Sequence, residues 1–259
     1  MSNFLKVWVA LVVALLLAPT LVVIPMSFSD STTFSFPPKG WSLRWYQNFF
    51  QSPEWVDALL DSLKVGVAAA VIATVVGTAA AVALDRSRFR GRSAVQGAMM
   101  APAIVPSIVI AVAIYIMFLK WHLTGSLLGF VAAHSILAVP FVIVTVSTAL
   151  SNYDRTVEYA SASLGAGPIT TFRRIVLPSL APGIASGFVF AFVTSFDEVV
   201  VALFLQTPDL RTLPVKMYNS ITLQIDPTIA AASSLIVVIT TGVLLLAQFL
   251  PRRRNENAS

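Results

Sequence analysis

Six apolar runs recur along this chain, at 7–26, 59–84, 95–119, 127–150, 180–205 and 228–250. Each is long enough to cross the roughly 30 Å of bilayer hydrocarbon as a helix, which takes about 20 residues. Inside hydrocarbon a backbone N–H or C=O finds no water, so a spanning segment must pair those groups internally. A charged fraction of 11%, against roughly 25% in soluble domains, together with 57% hydrophobic residues, excludes a soluble globular protein. The expected fold is all-α: a polytopic membrane bundle of six transmembrane helices, with 1–259 forming a single transmembrane domain. The absence of cysteine removes disulfides, thiolate metal sites and cysteine nucleophiles.

Charge sets the expected topology. Asp85-Arg86-Ser87-Arg88-Phe89-Arg90-Gly91-Arg92 places four arginines in one short loop, and basic residues gather in cytoplasmic loops. Counting spans from there puts Lys6, Arg155, Arg173, Arg174 and the cluster Arg252, Arg253 and Arg254 on the same side. Eleven of the 17 basic residues then lie inside, and both termini are expected there. The net charge of +5 is explained by those loops, without nucleic acid. The first run, after Lys6, is read as an uncleaved span in preference to a signal peptide, whose apolar region is usually about 7–15 residues.

Several residues interrupt the apolar pattern. Pro102 and Pro106 should kink or break the third span, because proline removes a donor and crowds the preceding turn. Pro140 interrupts the fourth, and Gly66 and Gly77 are expected close-packing points in the second. His122 stands at a span end with no ligating side chain at metal spacing, so it is read as solvated. His134 lies within a span, either satisfied by a neighbouring helix or functional. The polar segment 27–57 carries Trp41, Trp45, Tyr46, Phe49, Phe50 and Trp55. Such a density reads as an interfacial aromatic belt, with Trp45 and Tyr46 as the alternative candidates for stacking on a cationic ligand. Ser195-Phe196-Asp197-Glu198 places two acids in the fifth run, with no Lys or Arg within four residues. Such acids face a cavity, pair with a partner subunit or sit at the outer interface.

One connection, 151–178, is polar, basic and rich in helix punctuation. Asp154 is the expected N-cap of a short helix through about Ser163, with Glu158 near its positive end. Gly165 suits the left-handed backbone that closes a helix, and Pro168 suits the first turn of the next. Two short helices joined by a glycine elbow follow. No Gly-x-x-x-x-Gly-Lys-Ser/Thr phosphate loop, His-Glu-x-x-His or Gly-x-Ser-x-Gly is present, so the chain reads as a non-enzyme driven from outside itself.

Gly165, nine residues, Ile175, one residue and Leu177-Pro178 resemble the Gly-x9-Ile-x-Leu-Pro half of the cytoplasmic EAA loop of bacterial ABC-importer permeases. The Glu-Ala-Ala triplet of that loop falls on Tyr159-Ala160-Ser161, where only Ala160 matches, and the acid stands one place earlier at Glu158. Ser195 to Glu198, Thr212-Leu213-Pro214-Val215-Lys216-Met217 and Asp226-Pro227-Thr228-Ile229-Ala230-Ala231 resemble the spermidine/putrescine permease branch. The resemblance implies a type I (MetI-like) permease fold in a bacterial inner membrane. It implies a dimer of ATP-binding subunits carrying ATP and Mg, a second homologous permease and a periplasmic substrate-binding protein, with no cofactor on this chain. Glu158, Ala160, Leu164, Gly165, Ala166, Pro168 and Pro178 would form the ATPase-coupling surface. Asp197, Glu198, Ser195, Trp45, Tyr46 and Ser107 would line the path of a small polyamine cation. Ser107 stands where polyamine permeases often carry an acid, so an opine, an amino-acid derivative or another amine is the alternative cargo. A secondary transporter, the reading from another class, would need an internal inverted repeat, and the two halves show no self-similarity.

Overall fold

The chain stays helical wherever its backbone can remain paired, and its helices end where local chemistry forces them to. The computed structural model describes residues 3–223 and 226–249. The helices are α1 (Asn3–Ser27), α2 (Arg44–Gln51), α3 (Pro53–Arg86), α4 (Arg92–Ile104), α5 (Ser107–Lys120), α6 (Leu127–Ser151), α7 (Thr156–Ser163), α8 (Pro168–Thr171), α9 (Leu177–Phe196), α10 (Val200–Leu205), α11 (Leu213–Leu223) and α12 (Thr228–Phe249). A π-helical turn, Phe172–Val176, joins α8 to α9. Among the described residues, five helices are long and apolar enough to cross a membrane, and the bent pair α4 and α5 makes up to a sixth. The cluster Arg252 to Arg254 lies outside the described residues.

The third apolar run is broken, as its prolines require, but only one of them makes the break. Pro102 is accommodated inside α4. Val105, which precedes Pro106, is extended at ψ 137°, because the proline ring crowds the helical conformation of the residue before it. Pro106 then stands as N-cap of α5, and the two helices meet at 103°. The start of α6 is capped in the usual polar way: Ser126 Oγ accepts the Gly129 N–H at 3.0 Å.

The fifth run also breaks, which corrects the expectation of two acids within one continuous helix. α9 ends at Phe196 with Asp197 as its C-cap, and α10 starts only at Val200. The break falls on Asp197 and Glu198, and the apolar run resumes at Val199, so the length of the run gives no sign that the helix stops.

The described chain forms two compact units. One contains residues up to Leu60 together with Thr212–Gly242. Its core joins Phe49 and Trp55 to Leu213 and Ile229. Polar side chains link its helices: Ser27 Oγ lies 2.7 Å from the Tyr46 hydroxyl, and Asn48 Nδ2 donates to Thr228 Oγ1 at 2.7 Å. Lys216 pairs with Glu54 and lies over the Trp55 ring.

The other unit contains Asp61–Arg211 and is organised around α6, the most buried of its long helices. Val142 of α6 is fully buried and is approached from two sides by glycines. A Cβ on Gly77 of α3 would lie 2.7 Å from Val142 Cβ, and one on Gly187 of α9 would lie 3.2 Å from Val142 Cα. Small residues at such points let membrane helices pack backbone to backbone, since apolar side chains gain little by leaving lipid. Gly66, the other expected packing point, faces the Phe192 ring.

Gly77→Leu should therefore lower stability by about 1–3 kcal/mol through overpacking, read as an earlier thermal transition of the detergent-purified assembly. Gly97→Ala, where an added Cβ meets nothing within 4 Å, should leave that transition unchanged or raise it.

Candidate functional site

The expected elbow is present and is held by more bonds than its punctuation implies. The N-cap of α7 is Arg155, not Asp154. Asp154 works from one place earlier: its Oδ1 accepts the Thr156 N–H at 2.9 Å and its Oδ2 accepts from the Thr156 hydroxyl at 2.7 Å. The Thr156 N–H, otherwise orphaned at a helix start, is satisfied, and those bonds hold the Asp154 carboxyl below its ordinary pKa. Glu158 sits in the first turn, where the helix dipole favours an acid.

The far end of α7 closes in a Schellman motif. Gly165 has φ +82°, its N–H donates to Ala162 O at 2.9 Å, and the Ala166 N–H donates to Ser161 O at 3.1 Å. An L side chain with a branched Cβ is strained in that backbone, whereas glycine is not. Pro168 opens α8 at its first turn, where its missing N–H costs nothing. Buried Ser161 and Thr171 join their hydroxyls at 2.8 Å and pin α7 to α8. Sequence reasoning missed that pair, because a serine and a threonine ten residues apart carry no local pattern.

The elbow presents an apolar tip. Leu164 is 88% exposed, Ile169 74% and Tyr159 71%. Ala160, Gly165, Pro168 and Pro178 are exposed too, and Ala166 is half-buried. Glu158 instead turns inward: both of its carboxylate oxygens accept from Arg86 Nη2, at 3.0 and 2.9 Å. Beside it Arg155 pairs with Asp85.

The other candidate residues are divided between the two units. Ser195 is buried and lies against His134, whose Nδ1 is 2.8 Å from Ser195 Oγ and 3.1 Å from the Ser195 carbonyl oxygen. The neighbouring-helix partner anticipated for His134 is thus found on one ring nitrogen, while buried Nε2 has none. Asp197 is exposed at the helix break. Glu198 caps α10, its Oε1 accepting the Val201 N–H at 2.9 Å. Ser107 is exposed at the start of α5. Trp45 and Tyr46 belong to the unit built on Thr212–Gly242. Trp45 is buried with the Arg44 guanidinium 4.4 Å from its ring centroid, so the cation on that ring is the chain's own. Tyr46 packs its ring on Phe28. Among the described residues no group of three metal-ligating side chains occurs.

The family described as "Binding-protein-dependent transport system inner membrane component" matches residues 73–255. The spermidine/putrescine transport system permease protein PotC of Haemophilus influenzae is 31% identical over 99% of this chain and 100% of its own length. PotC of Escherichia coli K12 is 32% identical over 52% of each chain, so that match spans about half the length of the relative. Among solved structures, a bacterial ABC transporter importing the acidic polysaccharide alginate superposes with a TM-score of 0.72 at 14% identity, covering 95% of both chains.

The cap at Glu198 makes a distinguishing prediction. Glu198→Gln keeps an acceptor for the Val201 N–H and should leave the thermal transition of the assembly in place. Glu198→Ala removes it and should cost about 1 kcal/mol.

Proposed function

Because this chain belongs to the binding-protein-dependent inner-membrane transport family, as a type I ABC-importer permease of the PotC kind, we propose that it passes a small polyamine cation received from a periplasmic binding protein. It is a multi-pass inner-membrane protein, and its family is one of transport permeases, not of catalysts. In our reading ATP and Mg are handled by two ATP-binding subunits, a second homologous permease completes the path, and both termini face the cytoplasm.

The observation that carries this reading is the elbow. A Schellman closure at Gly165 and a proline start at Pro168 hold Leu164 and Ile169 out from the fold. Exposed apolar side chains on a rigid support are what a docking contact requires, since little ordering entropy is then lost on binding. The covalent link through the π-helical turn to α9 gives a docked subunit a handle on a spanning helix.

The cargo reading rests on relatives named for spermidine and putrescine and on charge. A dication approaching the broken fifth span meets the exposed carboxylate of Asp197, with half-buried Glu198 next to it. Opposite charges attract, and the exposure of this carboxylate moderates the attraction. In this reading Ser195 acts with His134 behind the break, and Trp45 and Tyr46 support their own unit. A hydroxyl at Ser107, on the exposed start of α5, favours the second reading, an opine, amino-acid derivative or other amine.

Uptake by the reconstituted assembly with ATP on the elbow side tests the proposal. Labelled spermidine or putrescine should enter only with ATP and the binding protein; uptake driven by an ion gradient without ATP contradicts it. The ligand spectrum of the cognate binding protein separates the two cargo readings. Gly165→Val should reduce uptake per ATP hydrolysed by about tenfold or more, because a branched residue is strained at positive φ. Asp197→Asn should reduce uptake at limiting solute by about fivefold, the loss of one partly exposed charge interaction.

A further inference from the structure

The elbow has a covalent route to α9 but none to α3, whose last residues precede it by about seventy positions. Yet the two are joined by charge. Adjacent Asp85 and Arg86, on the last turn of α3, meet Arg155, the N-cap of α7, and Glu158 in its first turn. The order is crossed: acid then base on α3 meets base then acid on α7. A slip of α7 by one turn would set Glu158 against Asp85 or Arg155 against Arg86, like charge on like.

We propose that Arg86 is a positioning residue for coupling: with Asp85 it locks α7 in register, so that displacement of the elbow is delivered to α3 as well as α9. This rests on the coupling role proposed above for the elbow. Two ion pairs fix a direction as well as a distance, so α7 is held against rotation too. Beside this contact Asp85 borders an open depression of about 170 Å³, lined also by Leu84, Arg92, Gln96, Ser147 and Ser151. The side chains in the pairs are partly exposed, at 41% and 21% for Arg86 and Glu158. Pairs of that exposure add little to stability, and their use lies in selecting one register over its neighbours. α3 is a continuous helix of 34 residues, so Arg86 is a direct handle on a second spanning helix.

The test is a charge swap in the complete reconstituted assembly, reading solute transported per ATP hydrolysed. Arg86→Glu and Glu158→Arg should each lower that ratio by about fivefold. The double variant Arg86→Glu with Glu158→Arg should recover most of it, and Arg86→Lys should retain it. The proposal is overturned if the single variants keep the wild-type ratio, or if the double variant is no better than the worse single. Should a charge reversal prevent assembly, Arg86→Gln and Glu158→Gln should each lower the ratio, and a wild-type ratio in both overturns the proposal. Gly165→Val separates the levels. If it leaves the ratio unchanged, the elbow is not the coupling device at all; if it lowers the ratio while the swaps do not, only the register lock is wrong.

Discussion

A peptide group in hydrocarbon has no water to bond, so every place where a helix stops must supply its own partners. The three interruptions that shape this protein are all solved locally. Val105 N–H still reaches Ala101 O before Pro106, which has no N–H to place. Asp197 N–H closes onto Val193 O, and the Glu198 carboxylate takes the Val201 N–H in the first turn of α10. At Gly165 a Schellman pair closes α7. The roles proposed above gather at the same places, because a break is where a side chain, a backbone group or a hinge can face something other than lipid.

The long helices between those breaks are held together by shape. α6 receives α3 and α9 through glycine contacts on Val142, which bring helix backbones close, and the buried His134 to Ser195 contact adds a polar tie between α6 and α9. A packing of that kind transmits displacement well, since it leaves no soft side chain to absorb it. The elbow adds two attachments of different kinds: a covalent one into α9 through a π-helical turn, and an electrostatic one onto α3. On this account a subunit seated on Leu164 and Ile169 moves the membrane helices from two points.

Much of this was legible in the residues. Long apolar runs marked the spans, Pro106 marked a break, and Gly165 with Pro168 marked the elbow. What was not legible has physical reasons. The break at Asp197 to Val199 carries two acids, but the apolar run resumes through Leu205, and acids within such a run read equally as facing a cavity from a continuous helix. Asp154 sits one residue ahead of the cap position, a shift of the size by which helix ends are ordinarily ambiguous. Arg86 read as a topology marker and Glu158 as a dipole partner, because a pairing across seventy positions leaves no trace in local pattern. Trp45 offered a face for a cation, and only the fold shows that Arg44 occupies it.

The central claim is that the elbow is a docking surface for an ATP-binding subunit, and the cysteine-free chain allows it to be tested directly. A single Leu164→Cys variant is labelled with a membrane-impermeant maleimide, with and without the ATP-binding subunits assembled. The account predicts rapid labelling of the free permease and strong protection in the assembly, with Phe89→Cys, on the exposed arginine loop, as the reference site. Equal labelling of Leu164→Cys in both states would contradict it.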